Sequence, residues 1–284
     1  FLSGDSISFL PTGCNVYQSY VKDSIPSLVS TLGSLGYSKT AFHPYYGDGW
    51  NRRNVYPLLG FDNYISIEDF VDQDILDTYK QNNDVTQYET LLKERYPDRD
   101  MLLRRFVSDS YDYSMVENMF ENRDTSKPFF LFNVTMQNHG GYTYEGDNYE
   151  QTISLNGYSQ EYPQAEQYLS LIHETDSAVE YLIDYFRNVD HKVLVLFYGD
   201  HLPGLSSDFM TEVHGGEFST LDEQEEKYSV PFFLWANYDI PTGWVDEISM
   251  NYLGTLLTQV SGLQMTKYNQ YLAGLYTKLP VITA

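Results

Sequence analysis

The 284-residue sequence predicts an α/β fold, a three-layer α/β/α sandwich around a mostly parallel central sheet, and three observations carry that expectation. Apolar runs at residues 129–136, 193–198 and 230–236 read as strands buried on both faces. Segments with apolar residues at helical spacing alternate with these runs, the order that lays helices over both faces of a parallel sheet. Hydrophobic residues make up 42% of the chain and aromatics 16%, enough for a substantial core and too many for disorder.

In chain order, residues 24–35 read as a helix, with Pro26 near its start and Gly36 past its end. Residues 37–43 follow as a strand and 61–67 as a shorter one. Residues 72–122 are polar and mostly helical, with an arginine-rich interval at Arg104 and Arg105. Lys127 and Pro128 punctuate the chain before the 129–136 strand. Residues 138–163, rich in Gly, Tyr, Asn and Ser, show no periodicity and are too long for a simple connector, so they read as a functional loop. Leu169, Ile172, Ala178, Val179, Leu182 and Phe186 mark a helix over 164–188 that feeds the 193–198 strand. Residues 206–227 read as an acidic loop, 230–236 as the third apolar strand and 248–260 as a closing helix. No internal repeat or linker is visible, so residues 1–284 are expected to form one domain, with the last ~45 residues as a small C-terminal subregion.

Composition narrows the partners. A net charge of −23 argues against nucleic acid, because phosphate binding needs clustered Lys and Arg. The same charge fits a solvated, extracytoplasmic surface. The 27 tyrosines against 16 phenylalanines suggest wide amphipathic surfaces, and the single cysteine, Cys14, excludes an internal disulfide. No signal peptide is visible, and no apolar run approaches the roughly 18 residues needed to span a bilayer.

Chemistry gathers at strand ends, where open α/β sheets bind their ligands. The 193–198 strand stops at Gly199, and Asp200 and His201 follow. A carboxylate oxygen and an imidazole nitrogen suit a divalent cation, although Asp200 reads equally as a turn cap and His201 as an ordinary loop histidine. After the 37–43 strand comes His43-Pro44-Tyr45-Tyr46-Gly47-Asp48-Gly49-Trp50-Asn51-Arg52. The Arg52 guanidinium can hold a phosphate or sulfate in bidentate fashion, with Trp50 as a flat wall. The alternative is a glycine-rich turn with Trp50 buried and Arg52 in a surface ion pair. The third cluster, Thr135-Met136-Gln137-Asn138-His139-Gly140-Gly141, offers His139 as a hydrogen-bond donor to an anion or as a general acid. Three histidine-bearing strand ends together favour a shared site over three structural histidines.

The phrases Gly-Trp-Asn-Arg-Arg-Asn-Val-Tyr-Pro-Leu-Leu-Gly-Phe-Asp, Val-Thr-Met-Gln-Asn-His-Gly-Gly-Tyr and Phe-Tyr-Gly-Asp-His-Leu-Pro-Gly, in this order and at these separations, resemble the lipoteichoic acid synthase family. These are phosphoglycerol transferases of the sulfatase and alkaline phosphatase superfamily, and the resemblance runs from the first residues to about Ala236. It implies an alkaline phosphatase/sulfatase-like fold, with a catalytic domain facing outward from the cell membrane of a Gram-positive type of bacterium and anchored by helices outside this chain. The implied reaction moves glycerol phosphate from a phosphatidylglycerol-type lipid headgroup to a glycolipid or polyglycerol phosphate (teichoic acid) acceptor. It proceeds through a phosphothreonine and uses one divalent cation, most simply manganese, with magnesium or zinc as alternatives. Residue by residue, the resemblance assigns Asp200 and His201 to the metal and Arg52 and Trp50 to the glycerol phosphate pocket. His43 becomes a further pocket histidine, and His139 faces the phosphate and shares catalysis with Arg52. Tyr45 falls where relatives carry a polar or acidic pocket residue.

One departure stands out. The family's metal-binding glutamate and nucleophilic threonine precede the Phe-Leu-Ser-Gly found at residues 1–4, and no residue here matches either. Ser3, Ser6 and Thr12 are candidates only under a shifted alignment. The resemblance therefore implies a catalytic domain lacking its N-terminal segment, inactive alone, weak in metal binding, and short of one strand whose neighbours would keep unpaired edges. The alternatives are a sulfatase or phosphoethanolamine transferase of the same superfamily, or a non-catalytic glycan- or lipid-binding domain.

Overall fold

The computed structural model describes residues 1–11 and 13–282, so Thr12 lies outside the described residues. The first elements are α1 (Val16–Ser19), α2 (Leu28–Ser34), β1 (Ser38–Phe42), α3 (Arg52–Leu59) and β2 (Asn63–Ile65). Next come α4 (Gln73–Asn82), α5 (Val85–Arg95), the short β3 (Leu102–Leu103) and β4 (Phe106–Val107), α6 (Asp109–Glu121) and β5 (Phe129–Asn133). The chain continues through α7 (Pro163–Arg187), β6 (Leu194–Tyr198), α8 (Ser207–His214), α9 (Leu221–Glu226), β7 (Phe232–Ala236), α10 (Met250–Val260) and α11 (Lys267–Tyr276).

The central sheet is parallel, in the order β2-β1-β5, with Thr40 opposite Asn63 and Leu131, and Phe42 opposite Ile65 and Asn133. Alternation along β1 builds the layers. Ala41 faces one cluster with Val29 of α2 and Val55, Tyr56 and Leu59 of α3. Phe42 faces the other, with Tyr113 and Val116 of α6 and Ala178, Leu182 and Phe186 of α7. β5 repeats the pattern, Phe130 and Phe132 on the first face and Leu131 on the second. A third cluster packs α4 and α5 against the β3–β4 hairpin through Ile75, Leu76, Tyr88, Leu92, Leu102 and Val107.

Three features differ from the sequence expectation. The 230–236 run forms β7 antiparallel to β6, a direction that a doubly buried apolar run does not encode. The acidic 206–227 stretch carries two helices, because Ser206 accepts from the Phe209 N–H and Thr220 forms a capping box with Glu223. A further helix, α11, closes the C-terminal part and packs on α10.

The sheet is also divided. Among the described residues β6 pairs only with β7, and β5 only with β1, so each keeps one open edge and no ladder joins them. Both nevertheless pack on the same helices, through Leu131 from β5 and Val195 from β6. The Phe1 ring stands between them, 6.0 Å from Phe132 and 5.2 Å from Tyr198. Burial follows pairing. From Lys39 to Phe42, β1 is buried between two neighbours, whereas every residue of β5 and β6 is half-buried. Amide exchange should follow the same line: β1 amides should exchange slowest, and the unpaired-edge amides of β5 and β6 faster by on the order of 100-fold. Equal protection on all three strands in the 284-residue chain, measured by NMR, would contradict the divided sheet.

Candidate functional site

His43 is the first residue beyond β1 and is only 2% exposed. Its Nδ1–H donates to the Val134 carbonyl at 2.7 Å, which fixes the tautomer and leaves Nε2 free. Burial holds its pKa down to about 4, with the Arg52 charge adding to the effect, the Val134 bond opposing it and His139 adding more. His43 is therefore a neutral imidazole at neutral pH, and Arg52 and His139 both lie close enough to act on it.

The loop after His43 is tied down from below. The Gly47 N–H donates to the Glu68 carboxylate at 3.1 and 3.3 Å, and Arg53 pairs with Glu68 at 3.2 Å and Asp48 at 3.4 Å. Arg53 also donates to the Ser66 hydroxyl at 3.1 Å. Next in the loop, Trp50 and Asn51 adopt φ of 57° and 63°, left-handed conformations that non-glycine residues hold only when their surroundings impose them. Trp50 is 59% exposed. Arg52 opens α3, and its Nη1 donates to the Gly49 carbonyl at 3.1 Å. Among the described residues no carboxylate lies within 4.0 Å of it. The ion pairs belong to Arg53, so the reading of a buried Trp50 with an ion-paired Arg52 does not hold. Tyr45 is half-buried, its ring edge-on to His43 at 6.2 Å, Tyr46 at 4.9 Å and Phe106 at 6.1 Å, which makes it an aromatic wall.

His139 sits on the exposed turn after β5, its ring 5.5 Å from Phe106. The turn is anchored by Gln137, 1% exposed, whose Oε1 accepts from the Asp109 N–H at 2.9 Å. Gln137 Nε2 donates to the Leu171 carbonyl and the Thr175 hydroxyl. Thr175 in turn donates to Asp109 at 2.6 Å, and burial pushes that carboxyl up to about 6. Arg104, fully buried, donates to three backbone carbonyls of the same turn. In the sequence Arg104 and Arg105 mark only an arginine-rich interval, with no role attached. A side chain that binds only backbone leaves no partner residue to find.

Asp200 and His201 follow β6 after Gly199, both 75% exposed, with Asp200 Oδ2 3.7 Å from His201 Nε2. His201 Nδ1–H donates to the Leu202 carbonyl at 2.8 Å, so Nε2 carries the free lone pair a cation would take. The donor types suit a divalent cation. The set is incomplete, because no group of three or more His, Cys, Asp or Glu is placed to hold a metal among the described residues. Tyr198 lies within electrostatic reach of Asp200 and of Tyr17, which is itself within reach of Arg52. Burial raises the Tyr198 hydroxyl, and Tyr17 and Asp200 add to the effect. Burial raises Tyr17 as well, and the Arg52 charge opposes it. Trp50, His139, Asp200 and His201 are exposed, Arg52 is half-buried and His43 is buried. A cavity of about 790 Å³ lies elsewhere, lined by Phe70, Tyr96, Arg99, Tyr111 and Met115.

A family model described as Sulfatase matches residues 3–262. A Rhizobium meliloti protein named for cyclic beta-1,2-glucan modification is 27% identical over 292 residues, covering 99% of this chain and 40% of the relative. The phosphoglycerol transferase GacH of Streptococcus pyogenes, solved with sn-glycerol-1-phosphate, superposes with a TM-score of 0.72 at 19% identity, covering 100% of this chain and 65% of that one. The lipoteichoic acid synthase LtaP of Listeria monocytogenes gives a TM-score of 0.55 at 20% identity, covering 82% and 50%. The structural likenesses establish an alkaline phosphatase/sulfatase-like fold, and the chain spans well under two thirds of the curated relative's length.

The His43 environment gives a sharp expectation. Its ring resonances should stay flat from pH 8 to 5 and titrate with a midpoint near 4. A group whose pKa falls from 6.5 to about 4 on folding stabilises the fold above pH 6.5, and that contribution, about 3 kcal/mol, is lost as pH drops towards 4. Asp109, raised to about 6, acts in the opposite sense and loses its contribution as pH rises through that value. The ring titration by NMR, rather than total stability, is therefore the deciding measurement, and a midpoint near 6.5 would show that His43 is solvated.

Proposed function

The chain belongs to the sulfatase family, and on that premise we propose that it forms the substrate-binding part of a metal-dependent phosphoglycerol transferase working outside the membrane. The donor is a phosphatidylglycerol-type lipid and the acceptor a teichoic acid, glycolipid or other surface glycan. The observation that carries this reading is Arg52, a cation without a carboxylate partner among the described residues, beside neutral His43 and exposed Trp50. An anion of phosphate size with a small polyol is the ligand such a face would take: a bidentate contact for two phosphoryl oxygens and a flat wall for the glycerol. No helix among the described residues is long and apolar enough to cross a membrane.

In the proposed reaction Arg52 binds the phosphoryl oxygens and orients them, a contact that strengthens as charge develops on them. His43 stays neutral because burial and the Arg52 charge hold it so, and its Nε2, left free by the Nδ1–H bond to Val134, orients the ligand without adding a competing charge. His139, exposed on its turn, donates a hydrogen bond to a phosphoryl oxygen and can pass a proton to the departing alkoxide. Asp200 and His201 would hold a divalent cation, manganese in the simplest case, which supplies Lewis-acid neutralisation of phosphoryl charge. The attacking hydroxyl is assigned to no residue of this chain; the family resemblance gives that part to a threonine without a counterpart here.

The test is transfer of glycerol phosphate from phosphatidylglycerol vesicles by the full-length polypeptide. Arg52→Ala should lower kcat/KM by about 100- to 1000-fold, and Arg52→Lys, which cannot copy the fork, should recover less than a tenth of the loss. Full activity in the lysine variant would remove the bidentate role. Hydrolysis of a sulfate ester with no transfer would move the chain to the sulfatases proper.

A further inference from the structure

Arg104 occupies the turn between β3 and β4 with φ of 57°, a left-handed conformation unusual for a long side chain. Its side chain is fully buried, and no carboxylate lies within 4.0 Å among the described residues. An ionised guanidinium buried without a counter-ion is expensive, so what it touches is informative. Nη2 donates to the carbonyls of Gln137 at 2.7 Å and His139 at 3.0 Å, and Nη1 to that of Gly141 at 3.2 Å. Nε has no partner. The rings of Phe106 and Tyr142 flank the guanidinium at 5.6 and 5.7 Å, and Phe106 also touches the His139 ring. Burial lowers the Arg104 pKa to about 10, which leaves it charged at neutral pH.

In a trans peptide the carbonyl of one residue points opposite to the N–H of the next. Drawing in the carbonyls of Gln137, His139 and Gly141 therefore turns the N–H groups of Asn138, Gly140 and Tyr142 away from Arg104. None of these three amides has a hydrogen-bond acceptor among the described residues, whereas the intervening His139 N–H is used, donating to Met136. Outward-facing amides alternating along a short turn form a concavity suited to anions, and a buried cation behind them strengthens it. Tyr142 reports what lies on its two sides: burial raises its hydroxyl, Tyr168 adds, and Arg104 and Asp200 then pull in opposite directions. The Tyr142 hydroxyl thus lies within electrostatic reach of both Arg104 and Asp200.

We propose that Arg104 is a positioning residue that shapes residues 138–142 into an amide-lined anion site, which takes phosphoryl oxygens of the same group that Arg52 holds. The proposal rests on the phosphoglycerol reading above and adds a second set of donors to it. A neutral brace could hold the turn in place. The charge matters because it polarises the three peptide units towards the ligand.

Titration of the full-length polypeptide with sn-glycerol-1-phosphate, followed by NMR, tests this. The amide protons of Asn138, Gly140 and Tyr142 should move downfield with the same saturation curve as the Arg52 guanidinium signal. Arg104→Lys, which keeps the charge and loses the fork, should weaken binding about tenfold while thermal unfolding remains cooperative. Should that variant fail to fold, Gly140 offers a separate measurement. A Cβ there meets nothing within 4 Å, so Gly140→Ala and Gly140→Pro differ chiefly in the amide donor. The proline variant should bind about tenfold more weakly than the alanine variant, and equal affinities would overturn the proposal. Movement of the Arg52 signal with all three amides unmoved would also overturn it and leave the phosphoglycerol reading standing. No response at either place would remove both.

Discussion

Phe42 and Asn133 face one another across the β1–β5 ladder, and because the two strands are parallel, the residues that follow them leave the sheet side by side. His43 and Val134 meet there through a 2.7 Å hydrogen bond. The contact sets the tautomer of His43, and it brings the loop bearing Arg52 alongside the turn bearing His139. A register slip would turn Ala41 and Phe42 onto the wrong helix layers, so the hydrophobic clusters that fix the sheet also fix the site. The chemistry at the strand ends is thus held in place by core packing on the two faces below it.

Charge is arranged against the background of the whole molecule. The chain carries a net −23, yet Arg52 and Arg104 have no carboxylate partner among the described residues. The neighbour of Arg52 does pair: Arg53 takes Asp48 and Glu68, and that leaves Arg52 free in the same loop. A local positive face on a strongly negative body discriminates by sign and by place. A free anion is repelled at long range, while one carried to the face by a larger substrate meets unshielded donors at contact distance.

Much of this was legible in the sequence. The helix over 164–188 and the strand over 193–198 came within a residue of α7 and β6, because long amphipathic spacing and a bounded apolar run are strong local signals. The three histidine- or aspartate-bearing strand ends were visible for the same reason. What escaped was information carried by backbone. Strand direction in β7 depends on the connection through α8 and α9, whose caps at Ser206 and Thr220 were hidden in an acidic composition. The division of labour between Arg52 and Arg53 depends on where the first turn of α3 points each guanidinium. Arg104 acts on carbonyls alone, and sequence records no partner for such a contact.

The open edges of β5 and β6 have a consequence for how the chain behaves in bulk. Edge strands in soluble proteins are commonly guarded by lysine, proline or a bulge. Here the two segments read Phe-Phe-Leu-Phe-Asn and Leu-Val-Leu-Phe-Tyr, with no charge and no proline in either. Each is short, aromatic-rich and half-buried, the composition that recruits further copies into cross-β stacks. In this protein the barrier to aggregation is geometric, since the Phe1 ring packs between the two strands, against Phe132 and Tyr198. Its colloidal stability therefore depends on how often that packing opens, and solubility becomes a property of sheet dynamics more than of surface charge.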